Sequence, residues 1–185
     1  SSAAARCYID SANGFVYHFV PESLWAWSSV PPYRLRIYKQ TINGGPLTLS
    51  KIVDLPFGNE SYPEMMTING SGASGFPGVA VAGYGVNGGL IFINYDGIVK
   101  KSVSSAQFAL MGIVVSSDSI ICTDEANDIW TMVYSQPSNY YWGYYYHIRT
   151  FGWTTNALLG SGLQEDRVWT KCIDMYNGYI YSYSF

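Results

Sequence analysis

Thirteen acidic side chains and two histidines bound the chemistry open to this chain of 185 residues. His18 and His147, the side chains that titrate near neutrality when unperturbed, both fall inside strand-like runs and read as surface or strand-packing residues rather than as general bases. Two carboxylates across a cleft would make a glycosidase, but the spacing of the acids selects no pair. Glu165-Asp166 reads as a polar loop ahead of Val168, and Glu60 with Glu64 as solvated charge around Pro63. Asp118, Asp124, Glu125 and Asp128 crowd one hairpin without the order of an EF-hand loop, so no metal site follows. Gly70-Ser71-Gly72-Ala73-Ser74-Gly75 comes near the nucleophile-elbow pattern but lacks its strand-to-helix setting. Cys7, Cys122 and Cys172 show no zinc spacing and sit at nearly the same place on strands entering turns, which predicts small buried core residues. No cofactor is expected.

The strongest functional signal is aromatic. Tyr140-Tyr141-Trp142-Gly143-Tyr144-Tyr145-Tyr146-His147 continues to Trp153, and in an alternating strand half of these rings must face away from the core. Tyr141, Trp142, Tyr144 and Tyr146 are therefore the candidate contact surface, joined by Trp25 and Trp27 in the loop before Pro31-Pro32. Tyrosine and tryptophan bring large rigid area to protein interfaces and to sugar-stacking platforms.

The elements that must carry these residues are strands. Cys7 to Tyr17, Cys122 to Trp130 and Cys172 to Tyr181 each place an Asp three residues before an Asn (Asp10 and Asn13, Asp124 and Asn127, Asp174 and Asn177). The Asn is followed by Gly or Asp and then an apolar run. Such dipeptides supply the positive φ of two-residue hairpin turns, and the preceding Asp is expected to cap the turn. A weaker copy surrounds Asn87-Gly88. Arg34 to Lys39 alternates polar and apolar as a strand with one wet face should, and Leu47 to Val53 can answer it across Asn43-Gly44. Further strands are expected at Leu90–Asn94, Gly97–Val103, Met111–Val115, Ser119–Thr123, Ile129–Tyr134, Tyr144–Phe151, Val168–Ile173 and Tyr179–Phe185. Helical periodicity is nearly absent.

Hairpins recurring in this way resemble β-propeller repeats. The last two separations between the Asn turns match the roughly 40 to 50 residues of a four-stranded blade, while the first is longer and leaves room for a degenerate blade at Asn43-Gly44 or an insertion. Asp124 to Trp130 is faintly similar to the Asp box of sialidase-like propellers, and the Gly-His and Trp-Asp pairing of WD repeats is missing. The resemblance implies a single all-β domain over residues 1–185, a propeller or propeller fragment of antiparallel hairpin blades. A β-sandwich or jelly roll is the alternative.

Charged residues are 12% and aromatics 17% of the chain, which leaves Ser, Thr, Asn, Gly and Tyr to cover the surface, as is common on secreted, cell-surface and virion proteins. A net charge of −3 without a basic stripe disfavours nucleic acid, and no apolar run spans a bilayer. The start at Ser1 without Met fits a processed protein or a fragment. The Gly/Ser/Pro-rich segment 56–77, broken by a short strand at Met65 to Ile68, reads as an exposed loop and carries glycosylation sequons at Asn59 and Asn69. The expected protein is thus a non-enzymatic extracellular or virion-surface binding protein, in contact with other subunits, a receptor or a glycan. A glycan-cleaving hydrolase and a filament subunit joined by strand exchange are the competing readings. Replacing Trp142 and Tyr144 by Ala should weaken assembly or glycan binding on a sizing column or a glycan array. Loss of hydrolysis on neutralising single carboxylates, with binding intact, would instead mark the enzyme.

Overall fold

Alternating patterns and turn residues close neighbouring strands into hairpins throughout the computed structural model, which describes residues 5–21, 32–56, 64–68, 76–83, 88–113, 120–137, 144–166, 170–176 and 179–184. The fold is all-β. The strands are β1 (Arg6–Asp10), β2 (Phe15–Pro21), β3 (Tyr33–Thr41), β4 (Thr48–Leu55), β5 (Glu64–Ile68), β6 (Gly78–Gly83) and β7 (Gly89–Asn94). They continue as β8 (Val99–Ser104), β9 (Ile120–Asp124), β10 (Ile129–Pro137), β11 (Tyr144–Gly152), β12 (Leu158–Asp166), β13 (Thr170–Tyr176) and β14 (Tyr179–Ser184). Three four-stranded antiparallel sheets follow chain order, β1-β2-β3-β4, β5-β6-β7-β8 and β9-β10-β11-β12, and β13 pairs with β14. Each four-stranded sheet resembles a blade-like unit. The Asn43-Gly44 hairpin closes the first of them and is not a further blade.

A second repeat lies in the backbone. In each sheet the fourth strand carries one extra residue soon after its hairpin: Ser50 in β4, Lys100 in β8 and Leu159 in β12 stand between paired neighbours without a partner of their own in the register. Such bulges bend and twist an outer strand away from straight pairing.

The turns explain why the strands stop where they do. Asp10 pairs with Phe15 across a four-residue loop, and its carboxylate accepts the Asn13 backbone N–H at 3.2 Å and the Asn13 side-chain amide at 2.8 Å. Asp124 pairs with Ile129 and accepts the same two donors from Asn127 at 3.3 and 2.7 Å. The residue after each Asn is left-handed, Gly14 at φ 73° and Asp128 at φ 57°. These are four-residue loops, not the two-residue turns expected. Asp174 differs: it pairs with Tyr181 two residues inside β13, because Tyr176 and Tyr179 are the last pair before that turn. The third sequence copy is therefore a different hairpin.

Two compact units divide the described chain, and each has its own core. In the first, Phe19, Leu35, Ile37, Val53 and Leu55 of the β1–β4 sheet pack with Met65, Val79, Val81, Ile91 and Ile93 of the β5–β8 sheet. In the second, Trp130 stacks on its cross-strand partner Phe151 with ring centroids 4.3 Å apart, and the Thr131 and Thr150 hydroxyls meet at 3.1 Å. A short helix, α1 (Ser105–Leu110), was not expected, and its C-terminal turn takes up Met111 and Gly112 where the strand Met111–Val115 was expected to begin. Ser104 and Gln107 form a capping box, Met111 is the C-cap, and Gly112 turns the chain with φ 71°. β12 was not expected, and it places Glu165 and Asp166 in strand register opposite Tyr145 and Tyr144 rather than in a loop. Cys7 is exposed, which corrects the expectation of a buried thiol, whereas Cys122 is buried. Cys7 stands three residues before its Asp and Cys122 two, so the pleat turns them to opposite faces relative to the turn.

Asp10→Ala or Asp124→Ala should each lower stability by about 1–2 kcal/mol, since each removes a capping acceptor for two donors. Urea unfolding should show the lower midpoint with an unchanged slope.

Candidate binding surface

The first sheet offers two unlike faces. Register places Asp10, Phe15 and Thr41 in one row, Tyr8, Tyr17, Lys39 and Thr48 in the next, and Phe19 with Ile37 beyond them. The inner end of this face is buried core. Toward the β3–β4 hairpin it turns polar. Tyr95, in the β7–β8 turn, stacks on Tyr8 at 5.4 Å and lies 4.7 Å from Tyr17. That turn is fixed by Asn94, whose side-chain carbonyl accepts the Asp96 and Ile98 N–H groups at 3.1 and 2.9 Å, with Gly97 left-handed. Burial first, then the neighbouring acids, raises the pKa of all three phenols above the usual tyrosine value; for Tyr95 those acids are Asp96 and then Asp10.

Lys39 reaches from β3 over two rings, its Nζ 3.5 Å from the Phe15 centroid and 5.6 Å from that of Tyr17. It forms one wall of a cavity of about 350 Å³, which is also lined by Phe15, Gln40, Thr41, Pro46, Thr48 and Ser50. Two side chains at the end of β3 hold its rim. Gln40 donates to the Gly45 carbonyl at 2.7 Å, and the Thr41 hydroxyl donates to the Gly44 carbonyl. The β4 bulge brings Ser50 into the lining.

The opposite face of the same sheet is open and mixed, carrying Arg34, Arg36, Gln40 and Asp54 beside a set of apolar residues. Ile9, Val16, Tyr38, Leu49 and Ile52 share it by register, since the Ser50 bulge leaves Leu49 opposite Tyr38 and Ile52 opposite Arg36. Ile9, Leu49 and Ile52 are 57%, 46% and 52% exposed. His18 lies on this face with Nε2 3.3 Å from the Gln40 side-chain oxygen, a strand-packing place as expected. His147 is half-buried in β11 with Nδ1 3.2 Å from Arg149 Nη2, and burial and then the Arg149 charge lower its pKa.

Asp128 staples two loops together. Its carboxylate accepts the Thr154 N–H at 2.7 Å and the Thr154 hydroxyl at 2.5 Å, and its carbonyl accepts the Trp153 N–H at 2.7 Å. Among the described residues no group of three or more His, Cys, Asp or Glu side chains converges on a metal-sized site.

Of the aromatic residues singled out in the sequence, Trp25, Trp27, Tyr141 and Trp142 lie outside the described residues, as do Asn59 and Asn69. Tyr144 and Tyr146 are placed by backbone register alone, Tyr144 between Pro137 and Asp166 and Tyr146 between Ser135 and Gln164. The Lys39 cavity and the outer face of the first sheet were not anticipated. Alternation in Arg34 to Lys39 marks both faces of β3, but the cavity also needs the bulge and the closed loop.

No family model matches the chain, and no curated protein or solved structure does either. No described helix is long and apolar enough to cross a membrane.

The raised phenol pKa values carry a sign. The unfolded chain releases these protons first, so their contribution to stability is fully held below the usual tyrosine pKa near 10. It is lost as pH climbs from there through the raised folded values. Urea midpoints should fall between pH 9.5 and 11.5, both about the usual phenol range, and Tyr95→Phe should flatten that fall.

Proposed function

We propose that the protein is a non-enzymatic binding and assembly module of an extracellular or virion surface, working by contact with neighbouring subunits, a receptor or a glycan. The observation that carries this reading is the set of exposed apolar residues on the outer face of the first sheet, with Ile9, Leu49 and Ile52 about half exposed. Single exposed apolar residues are ordinary, but several sharing one sheet face mark a contact site. The rings at Trp25, Trp27, Tyr141, Trp142, Tyr144 and Tyr146 would extend the contact area, and sugars at Asn59 and Asn69 would fit the same surroundings.

The same reading takes the three sheets as successive blades of a β-propeller or of a propeller fragment. Support comes from their chain-order strands and from the bulge that recurs in each fourth strand. A blade buries each broad face against a neighbour, so exposed apolar residues on the outer face of the first sheet suit a further partner there. The bulges argue for contact through side chains rather than strand exchange at β4, β8 or β12, because a kinked outer strand is a poor template for ladder extension.

Light scattering over a concentration series should report a species larger than one chain. Leu49→Lys combined with Ile52→Lys should shift it toward the monomer by at least about tenfold in dissociation constant, the effect of roughly 1.4 kcal/mol. A wild-type chain that stays monomeric at every concentration, and binds neither a receptor preparation nor a glycan array, would overturn the reading.

A further inference from the structure

Lys39 is a cation held at the wall of a cavity, and no carboxylate among the described residues forms an ion pair with it. Arg34 is paired with Asp54 at 3.2 Å, whereas Lys39 lies over the faces of Phe15 and Tyr17. A ring face attracts an ammonium but takes none of its hydrogen bonds, so the N–H donors directed away from the rings remain for a ligand. Of the acids near this face, Asp10 is turned to its own loop and accepts both Asn13 donors, and Asp96 of the β7–β8 turn, the acid that acts most on Tyr17, makes no ion pair with Lys39.

The rest of the lining decides what kind of anion fits. Thr48 and Ser50 are exposed and bring hydroxyls that can both donate and accept, while Phe15 and Pro46 offer apolar surface. Gln40 and Thr41 are committed to the Gly45 and Gly44 carbonyls, which holds the rim in shape before anything binds. A cavity of about 350 Å³ lies at the small end of ligand sites. One fixed positive charge matches one negative charge. Paired hydroxyls beside apolar patches match a ring that presents hydroxyls on its rim and C–H groups on its faces.

We infer that this cavity is a binding site for a carboxylate-bearing sugar, with Lys39 receiving the carboxylate, Thr48 and Ser50 the ring hydroxyls, and Phe15 and Pro46 the C–H face. The inference rests on the proposed role as a contact protein and gives its glycan arm a chemical class. It places that arm at the β3–β4 hairpin, apart from the tyrosine-tryptophan block.

The test is titration of the intact chain, followed by amide chemical shifts, with glucuronate, with glucose as the neutral counterpart and with inorganic phosphate as a bare anion. Glucuronate should saturate with shifts centred on Lys39, Thr48 and Ser50, and bind at least about fivefold more tightly than glucose or phosphate, as a charge-assisted contact supplies. Lys39→Met should remove that preference, Lys39→Arg should keep most of it, and the paired change Thr48→Val, Ser50→Ala should weaken glucuronate while leaving phosphate unchanged. The two conservative β4 changes guard against a Lys39 variant that fails to fold. Equal binding of phosphate and glucuronate, equal binding of glucose and glucuronate, or no saturation by any probe would each overturn the site. Assembly through Leu49 and Ile52 is read separately by light scattering, so either result can fail alone.

Discussion

A short polar side chain at the end of a strand, folded back onto the backbone two to four residues on, is the interaction on which this architecture depends. Asp10 and Asp124 do this with carboxylates, and Asn94 with its amide oxygen. In each loop the last or next-to-last residue is left-handed, so the chain reverses and the next strand begins in a fixed pairing. Because the pleat has a period of two, a fixed loop length also fixes which side chains face the core. Loss of that geometry would exchange Tyr17 and Phe19 for His18 on the buried side.

Once the reversals are set, the outer strands settle the rest. The extra residue in β4 lets Leu49 and Ile52 share the outer face although they are three positions apart, and it presents Ser50 to the cavity on the other side. One irregularity thus serves both the outer face and the Lys39 cavity. The equivalent residue in β12, Leu159, is itself exposed, which shows that the bulge is a feature of the sheet and not of one side chain. The interior is more uniform. β6 is buried along its whole length, and its Gly78 lies so close to the Ile93 carbonyl that a Cβ there would stand 2.0 Å from the oxygen.

Residues that act locally were readable from the chain, and those that act through pairing were not. Asp10 and Asp124 lie three residues from their Asn partners, within reach of a reading by spacing. Asp174 has the same spacing but sits inside β13, and only the register with Tyr181 reveals it. The α1 helix carried its Ser104 and Gln107 signature, yet six residues are too few for a helical period to emerge. β12 hides behind Gly160, Ser161 and Gly162, residues with weak strand preference that an outer strand tolerates. The Lys39 cavity needs a loop closed by Gln40 and Thr41, but also a bulge in β4 and a ring from β2, and these last two are not local to Lys39. The aromatic run was visible at once as composition. Its register in β11 came only with the fold.

Asp128 joins the tips of two hairpins, and this has a mechanical meaning. Tension drawn along β12 would reach β10 through the Thr154 bonds as well as through β11, so the β9–β10 and β11–β12 hairpins would share load rather than unzip one strand at a time. On a surface exposed to drag, a sheet clasped at its ends yields by shear and not by peeling.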